Sequence, residues 1–261
     1  MGKAKDIILR PVTAQEANAL VKRVHYSGKV VNNSQLHIGV FYGGKLEGAM
    51  QFGPSLDKRK IQGLVTGTAW HEFIELNRMA FTDVLPRNSE SRALAIAMRL
   101  LRKHAPQVKW VVTFADGTQS GDGTIYRAAG FILTGIRKNN QIWAAPDSLT
   151  DGRSKGQQAA ARRLSRVTAT KAGNILETGA ASMRPFIEAG FRPLAGFQLR
   201  YIYFIDPAYR QRLTVSELPY SAIDDAGARM YKGEWLDTRP VNGDDLATSE
   251  AGRFNSEPGA L

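Results

Sequence analysis

The sequence predicts an α/β fold in which a mixed central sheet is flanked by helices. Three observations carry this prediction. A Thr-x-x-Glu capping box at Thr13 and Glu16 opens a segment with apolar residues at helical spacing. The segments "LHIGVFY" and "KLEGAMQF" flank Gly43-Gly44, a two-residue hairpin signal. "VKWVVTFAD" is a continuous apolar run of the kind that fits a central strand buried on both faces. Strand, helix, hairpin, strand, helix, strand, helix, strand is the layout of one sheet with helices on its faces.

Taken in order, "IILRPV" (7–12) reads as the first strand, and Ala17, Leu20, Val21 and Val24 form the apolar stripe of the first helix. That helix is expected to stop at His25-Tyr26-Ser27-Gly28, with Gly28 as its C-terminal cap. After the hairpin, "FIELNRMAFT" (73–82) is a third sheet strand. The clearest helix is 89–106, with Ser89 as cap, Leu94, Ala97, Met98 and Leu101 as apolar face, and Pro106 as terminator. "GTIYRAAGF" (123–131) reads as a short helix, and "ILTGIR" and "QIWAAP" as a strand pair. Beyond Pro146 the pattern changes. Residues 153–171 contain six bases and no acid, which predicts a basic helical insertion, within about 147–194, before the last strand, "FQLRYIYFID". "AAGF" at 128–131 is echoed by "EAGF" at 188–191, too short a match to name a repeat. Residues 1–236 are read as one domain. Residues 237–261 are read as a polar tail that does not pack.

Charge points to the partner. The formal net charge is +11, yet residues 217–261 carry nine acids against four bases, so the body before them is far more basic than the total suggests. Such a body favours a polyanion, with nucleic acid first. No cysteine occurs, which excludes disulfides and thiolate metal sites. The start lacks the apolar run of a signal peptide and no stretch approaches a membrane span, so a soluble, cytoplasmic protein is expected.

Ligands of open α/β sheets bind beyond the carboxyl ends of strands, where "FADG" places Asp116. Taken alone, Asp116 could simply cap its loop and Tyr126 could be a core residue. His25-Tyr26-Ser27 presents three polar groups at a helix end, and the four histidines show no paired metal-ligand spacing. The combination says more. His25-Tyr26-Ser27, Arg78 in "ELNRMAF", Asp116 in "FADG" and Tyr126 in "GTIYRAAGF" together resemble the Mom DNA-modification proteins of Mu-like bacteriophages, across roughly residues 7–205.

The resemblance implies a fold related to the GCN5-type N-acetyltransferases. It also implies conversion of adenine in DNA to N6-carbamoylmethyladenine, which shields phage DNA from restriction enzymes in the bacterial host. The family's required residues map to His25, Tyr26, Arg78, Asp116 and Tyr126, with Ser27 beside them. Iron is implied as well, with His25, Tyr26 and Asp116 as its ligands. Acetyltransferases of this fold cradle the coenzyme A pyrophosphate on a glycine-bearing loop, whereas the corresponding "PRNSESRA" (86–93) has no glycine to let backbone approach phosphate closely. This departure argues against coenzyme A and leaves the donor unidentified. Arg87, Ser89 and Ser91 could still hold an anion there.

The expected partner is double-stranded DNA with its target adenine turned out and stacked on Tyr26, Tyr126 or Trp70. Arg153, Lys155, Arg162, Arg163, Arg166 and Lys171 are its expected phosphate contacts, against the alternative of a solvated charged helix. No membrane is expected, and a homodimer is compatible with the sequence. Two other functions compete: a conventional acetyl-CoA-dependent N-acetyltransferase of a protein or small amine, and a DNA-binding protein without catalysis.

Overall fold

A computed structural model describes residues 3–118, 120–146, 163–165, 176, 182–231 and 234–236. The main sheet has seven strands in the order β1 (Ile8–Pro11), β2 (Leu36–Tyr42), β3 (Lys45–Gly53), β4 (Phe73–Phe81), β5 (Trp110–Asp116), β10 (Phe197–Phe204) and β6 (Ile132–Lys138). Its helices are α1 (Ala14–Val24), α2 (Lys58–Gln62), α3 (Ser89–His104), α4 (Thr124–Ala128) and α6 (Ser221–Asp225). The capping box at Thr13 and Glu16 is formed, and Gly43 and Gly44 close the β2–β3 hairpin with positive φ.

β5 is buried on both faces, as its apolar run predicts. Val111 and Ala115 join a core with Leu94, Ala97, Met98 and Leu101 of α3, while Trp110 and Val112 face a second core with Ile61, Phe73 and Ile202. The sheet is mixed because β4 and β5 run parallel. Their pairing covers only Phe73↔Trp110, Ile74↔Val111 and Glu75↔Val112. Beyond Glu75 the two strands are no longer paired, and a bulge on β4 at Asn77 shifts the β3 register between Phe52↔Leu76 and Gln51↔Arg78. Bulges re-aim side chains beside active sites. The sheet therefore opens between β4 and β5 beyond Glu75.

Several sequence expectations are corrected. Segments 132–137 and 141–146 do not pair with each other. β6 pairs with β10, whereas β7 (Ile142–Ala144) lies between β8 (Arg163–Ser165) and β9 (Arg192–Pro193) in a separate three-stranded sheet. Residues 163–165 of the basic insertion are therefore strand, not helix. A further hairpin, β11 (Met230–Tyr231) and β12 (Glu234–Trp235), follows β10, so "FQLRYIYFID" is not the last strand. Ser89 is the first residue of α3 rather than its cap; Asn88 holds that position in a left-handed conformation, φ 68°. Gly28 does not cap α1, because His25 already turns extended and Gly28 instead closes the next turn by donating its N–H to the His25 carbonyl at 2.8 Å. The tail at 237–261 lies outside the described residues.

The two sheets share one plan. In the main sheet β5, α4 and β6 form a strand–helix–strand unit whose outer strands both run antiparallel to β10. In the small sheet β8, α5 (Arg184–Glu188) and β9 form another, whose outer strands both run antiparallel to β7. The strand following each unit is inserted into the other, β7 after β6 and β10 after β9. The short "AAGF"/"EAGF" echo marks the matching corner of the two units.

Candidate functional site

Helix α1 delivers the first group of site residues. Its last turn ends as His25 leaves helical geometry (φ −69°, ψ 136°), while the His25 N–H still donates to Val21 at 3.0 Å. The turn that follows holds His25, Tyr26 and Ser27 together. The Ser27 N–H donates to His25 Nδ1 at 3.1 Å, and the Ser27 hydroxyl lies 2.8 Å from the same atom. A nitrogen approached by an N–H must offer its lone pair, which places the imidazole proton on Nε2. Burial, and next to it the Arg78 guanidinium, push the His25 pKa down to about 3. The ring is neutral at physiological pH.

Arg78 joins this turn to the sheet. Its Nε donates to the Lys29 carbonyl at 3.2 Å and its Nη1 to the Asn77 carbonyl at 2.7 Å, so the β4 bulge and the turn share one side chain. The Tyr26 ring packs on His25 with centroids 4.1 Å apart and leaves 42% of the residue accessible. Its hydroxyl is nevertheless held protonated. Desolvation raises its pKa most, followed by the charge of Asp116 and by Tyr126, against the opposing Arg78. Tyr26 is thus partly exposed, while its hydroxyl lies within the electrostatic reach of Asp116, Tyr126 and Arg78.

Asp116 ends β5 and holds its loop. Its Oδ1 accepts from the Thr118 N–H at 3.0 Å and from Asn139 Nδ2 at 3.3 Å, and its carbonyl accepts from the Ser120 N–H at 2.7 Å. The loop closes at Asp122, whose carbonyl accepts from the Tyr201 hydroxyl at 2.5 Å. Gly123 then enters α4 at φ 85° against the Tyr201 ring, where a Cβ would overlap. Tyr126 follows on α4, its ring 5.5 Å from Tyr201 and 5.8 Å from Phe131. Burial raises its pKa, the hydroxyl of Thr113 opposes the shift, and the carboxyls of Glu90 and Glu75 add to it.

The structure therefore brings His25, Tyr26, Ser27, Arg78, Asp116 and Tyr126 to one opening between β4 and β5. It also adds residues that sequence reasoning misses. Glu75 on β4 is pushed up by burial, and Glu90 in the first turn of α3 is pushed up by burial and by Asp83. A lone carboxylate in the apolar strand "FIELNRMAF" is the available signal for Glu75. Asn139 has none, because it reaches Asp116 across 23 residues.

Arg87, Ser89 and Ser91 line a neighbouring cavity of about 370 Å³ with Asn88, Glu90 and Thr124. The buried Ser89 hydroxyl has no hydrogen-bond partner among the described residues. Glu90 borders both this cavity and Tyr126. Of the basic residues expected at DNA, Arg163 lies on β8, while Arg153, Lys155, Arg162, Arg166 and Lys171 lie outside the described residues. No described helix is long and apolar enough to cross a membrane.

Nitrogen and oxygen donors from His25, Tyr26 and Asp116 suit iron in kind. Ligation through His25 Nε2 would put the ring proton on Nδ1 and so cost the hydrogen bond that Nδ1 accepts from the Ser27 N–H. The Tyr26 phenol would have to give up a proton that its surroundings retain. Among the described residues no group of three or more His, Asp or Glu could hold a metal.

With these positions fixed, the chain is similar to solved acetyltransferases. The ribosomal-protein-S18-alanine N-acetyltransferase from Escherichia coli has 13% identity and a TM-score of 0.39, over 76% of this chain and 94% of that one. An acetyltransferase from Bacillus subtilis in complex with CoA has 10% identity and a TM-score of 0.38, over 76% and 97%. In sequence, the methylcarbamoylase Mom of Escherichia phage Mu is 38% identical over 136 residues, 52% of this chain and 56% of that protein. The match thus spans just over half of the relative's own length. The model of the Mom protein family matches residues 6–222, a span that holds every residue gathered at the β4–β5 opening. On that match, the chain belongs to the Mom protein family.

Proposed function

We propose that the chain modifies the exocyclic N6 of adenine in DNA to give N6-carbamoylmethyladenine and so protects phage DNA from restriction endonucleases. The observation that carries this reading is the gathering of His25, Tyr26, Arg78, Asp116 and Tyr126 at one opening of the sheet, in a chain of the Mom family. Adenine N6 is a poor nucleophile inside a paired duplex, so the base is extruded and stacked. The accessible face of Tyr26 serves as the platform, and Asp116, anchored by its loop, accepts an N6 hydrogen. Neutral His25 offers an uncharged Nε2–H donor, and Arg78 carries a fixed positive charge for a phosphate or a developing negative charge. Tyr126, protonated among Glu75 and Glu90, donates a hydrogen bond.

The transferred group comes from a donor whose anionic part binds the cavity at Arg87, Ser89 and Ser91, where the orphaned Ser89 hydroxyl supplies a donor or an acceptor. That loop carries no glycine, which argues against coenzyme A. An iron ion would be held by His25, Tyr26 and Asp116 in place of their hydrogen-bonding roles and would supply Lewis-acid chemistry when bound.

Expression of the full chain in a bacterial host that provides the donor, followed by nucleoside mass spectrometry of resident plasmid, tests the reading. Deoxyadenosine bearing one carbamoylmethyl group is the expected product. Acetylated protein or amine with unmodified DNA would make the chain a conventional acetyltransferase. Bound but unmodified DNA would make it a non-catalytic DNA-binding protein.

A further inference from the structure

The loop between β3 and α2 carries an apolar side chain in an unusual place. Leu56 is 97% exposed, more than any other large apolar residue described. Single exposed leucines need no explanation, but this one is held on a firm turn in a charged setting. Pro54 precedes it, and Asp57 follows as the N-cap of α2, accepting from the Lys60 N–H at 3.3 Å. Buried Ile61 pins α2 to the second core, and Lys58, Arg59 and Lys60 occupy its first three positions. None of these three cations is ion-paired among the described residues. Lys58 Nζ lies 4.4 Å over the ring of Trp70, itself 49% exposed.

This turn adjoins the site. The Pro54 carbonyl accepts from Asn33 Nδ2 at 3.1 Å and from Asn77 Nδ2 at 3.5 Å, and the Asn77 carbonyl accepts from Arg78. Leu56 is two residues beyond Pro54, so its Cα lies within about 7 Å of that proline's. An apolar tip followed by three cations, on a turn whose Pro54 carbonyl is bonded to the neighbour of Arg78, matches a particular feature of DNA. When a base is turned out of a duplex, it leaves an apolar slot between the neighbouring base pairs, edged by phosphates. Proteins that distort DNA fill such gaps with apolar wedges.

We propose that Leu56 is the wedge that enters the stack as the target adenine leaves it, with Lys58, Arg59 and Lys60 gripping the flanking phosphates. The inference rests on the reading of the chain as a DNA adenine-modifying enzyme. It assigns the 54–60 turn to extrusion and leaves the β4–β5 opening to chemistry. It further implies that single-stranded DNA, whose bases need no extrusion, bypasses Leu56.

Permanganate oxidises unstacked thymine and therefore reports extrusion without reference to the donor. Plasmid bound by the wild-type chain is expected to show reactive thymines opposite turned-out adenines. Leu56→Ala is expected to lower that reactivity, and the modification of duplex DNA, by at least about tenfold. It should leave modification of single-stranded DNA unchanged, and Leu56→Phe should restore the duplex reaction. Replacing Lys58, Arg59 and Lys60 together by Ala should reduce the slope of log affinity against log salt by about 0.9 for each phosphate no longer gripped. Equal loss on duplex and single strand, or no loss on either, would overturn the wedge. So would bound wild-type complexes without reactive thymines, even if adenine is modified. Reactive thymines without any modified adenine would sustain the wedge and overturn the reading of the chemistry.

Discussion

The corner from Thr124 to Phe131 and the corner from Arg184 to Phe191 are built alike and serve different ends. Each is a five-residue helix closed by a left-handed glycine, Gly130 at φ 89° and Gly190 at φ 88°. In each, a phenylalanine N–H reaches back five residues, from Phe131 to Tyr126 at 3.0 Å and from Phe191 to Phe186 at 2.9 Å. This is the Schellman closure, which satisfies helix-end carbonyls. In each, the phenylalanine ring packs on the aromatic that accepts that bond, at 5.8 Å and 5.2 Å. The difference is one oxygen. Tyr126 carries a hydroxyl among Thr113, Glu75 and Glu90, whereas Phe186 is buried with Met183 and Phe191 in a small apolar core. The corner itself needs only two aromatic rings and a glycine. The Tyr126 hydroxyl is therefore not required for the corner to close, which leaves it available for the role proposed for it.

The largest effect that could break this comparison is on activity. Tyr126→Phe, which copies Phe186 into the main sheet, is expected to lower adenine modification by at least about 100-fold, at a stability cost of only about 1 kcal/mol for the lost hydrogen bond to Thr113. Retained modification would return Tyr126 to the core. The converse change, Phe186→Tyr, forces a hydroxyl into the apolar core of Met183 and Phe191, and denaturant unfolding should show a loss of about 1–3 kcal/mol.

The two glycines sharpen the likeness. Among the described residues, a Cβ at Gly130 would meet only the Tyr203 ring at 3.5 Å, and one at Gly190 only Pro146 at 3.5 Å. Backbone strain is then the whole cost of Gly130→Ala or Gly190→Ala, about 1–2 kcal/mol each. Clearly unequal losses in denaturant unfolding would show that the corners are not equivalent.

The small sheet should also be separable. Lys138 pairs with Phe197, and the Asn139 N–H donates to the Gly196 carbonyl at 2.7 Å, so residues 140–195 leave and return at one point. Joining Asn139 to Gly196 directly gives an Asn-Gly hairpin loop, a favoured two-residue connection. The shortened chain is expected to retain cooperative melting, because the small core of Met183, Phe186 and Phe191 is separate from the main ones. The salt slope of its DNA affinity should fall by about 0.9 for each phosphate that the basic insertion neutralises. Collapse of the main sheet would show that the exchanged strands depend on each other.

The smallest effect lies in titration. Folding holds the His25 pKa far below its unfolded value, so the unfolded chain binds the extra proton between about pH 6.5 and 3. His25 therefore costs stability as pH falls through that window, and none above it. The His25 ring resonances should stay constant from pH 8 to 5, and His25→Gln should lessen acid destabilisation. A titration near 6.5 would place the ring in solvent.

Local chemistry is decided by sequence alone. The Thr13–Glu16 box, the Gly43-Gly44 hairpin and the doubly buried β5 appear as read, because each depends on contacts within a few residues or on apolarity along one strand. His25, Tyr26, Arg78, Asp116 and Tyr126 are legible as a set only through family resemblance, since their spacing of up to a hundred residues carries no chemistry by itself. Tertiary structure decides the rest. Strand partners depend on edges that exist only once the sheet assembles, so β6 pairs with β10 and β7 crosses to the small sheet, although 132–137 and 141–146 read as a local pair. Likewise, whether Glu75 is charged or His25 neutral depends on burial by distant segments, which no neighbour in sequence reveals. Short-range hydrogen bonding and apolar pattern are written along the chain, whereas pairing and desolvation arise between parts that meet only on folding.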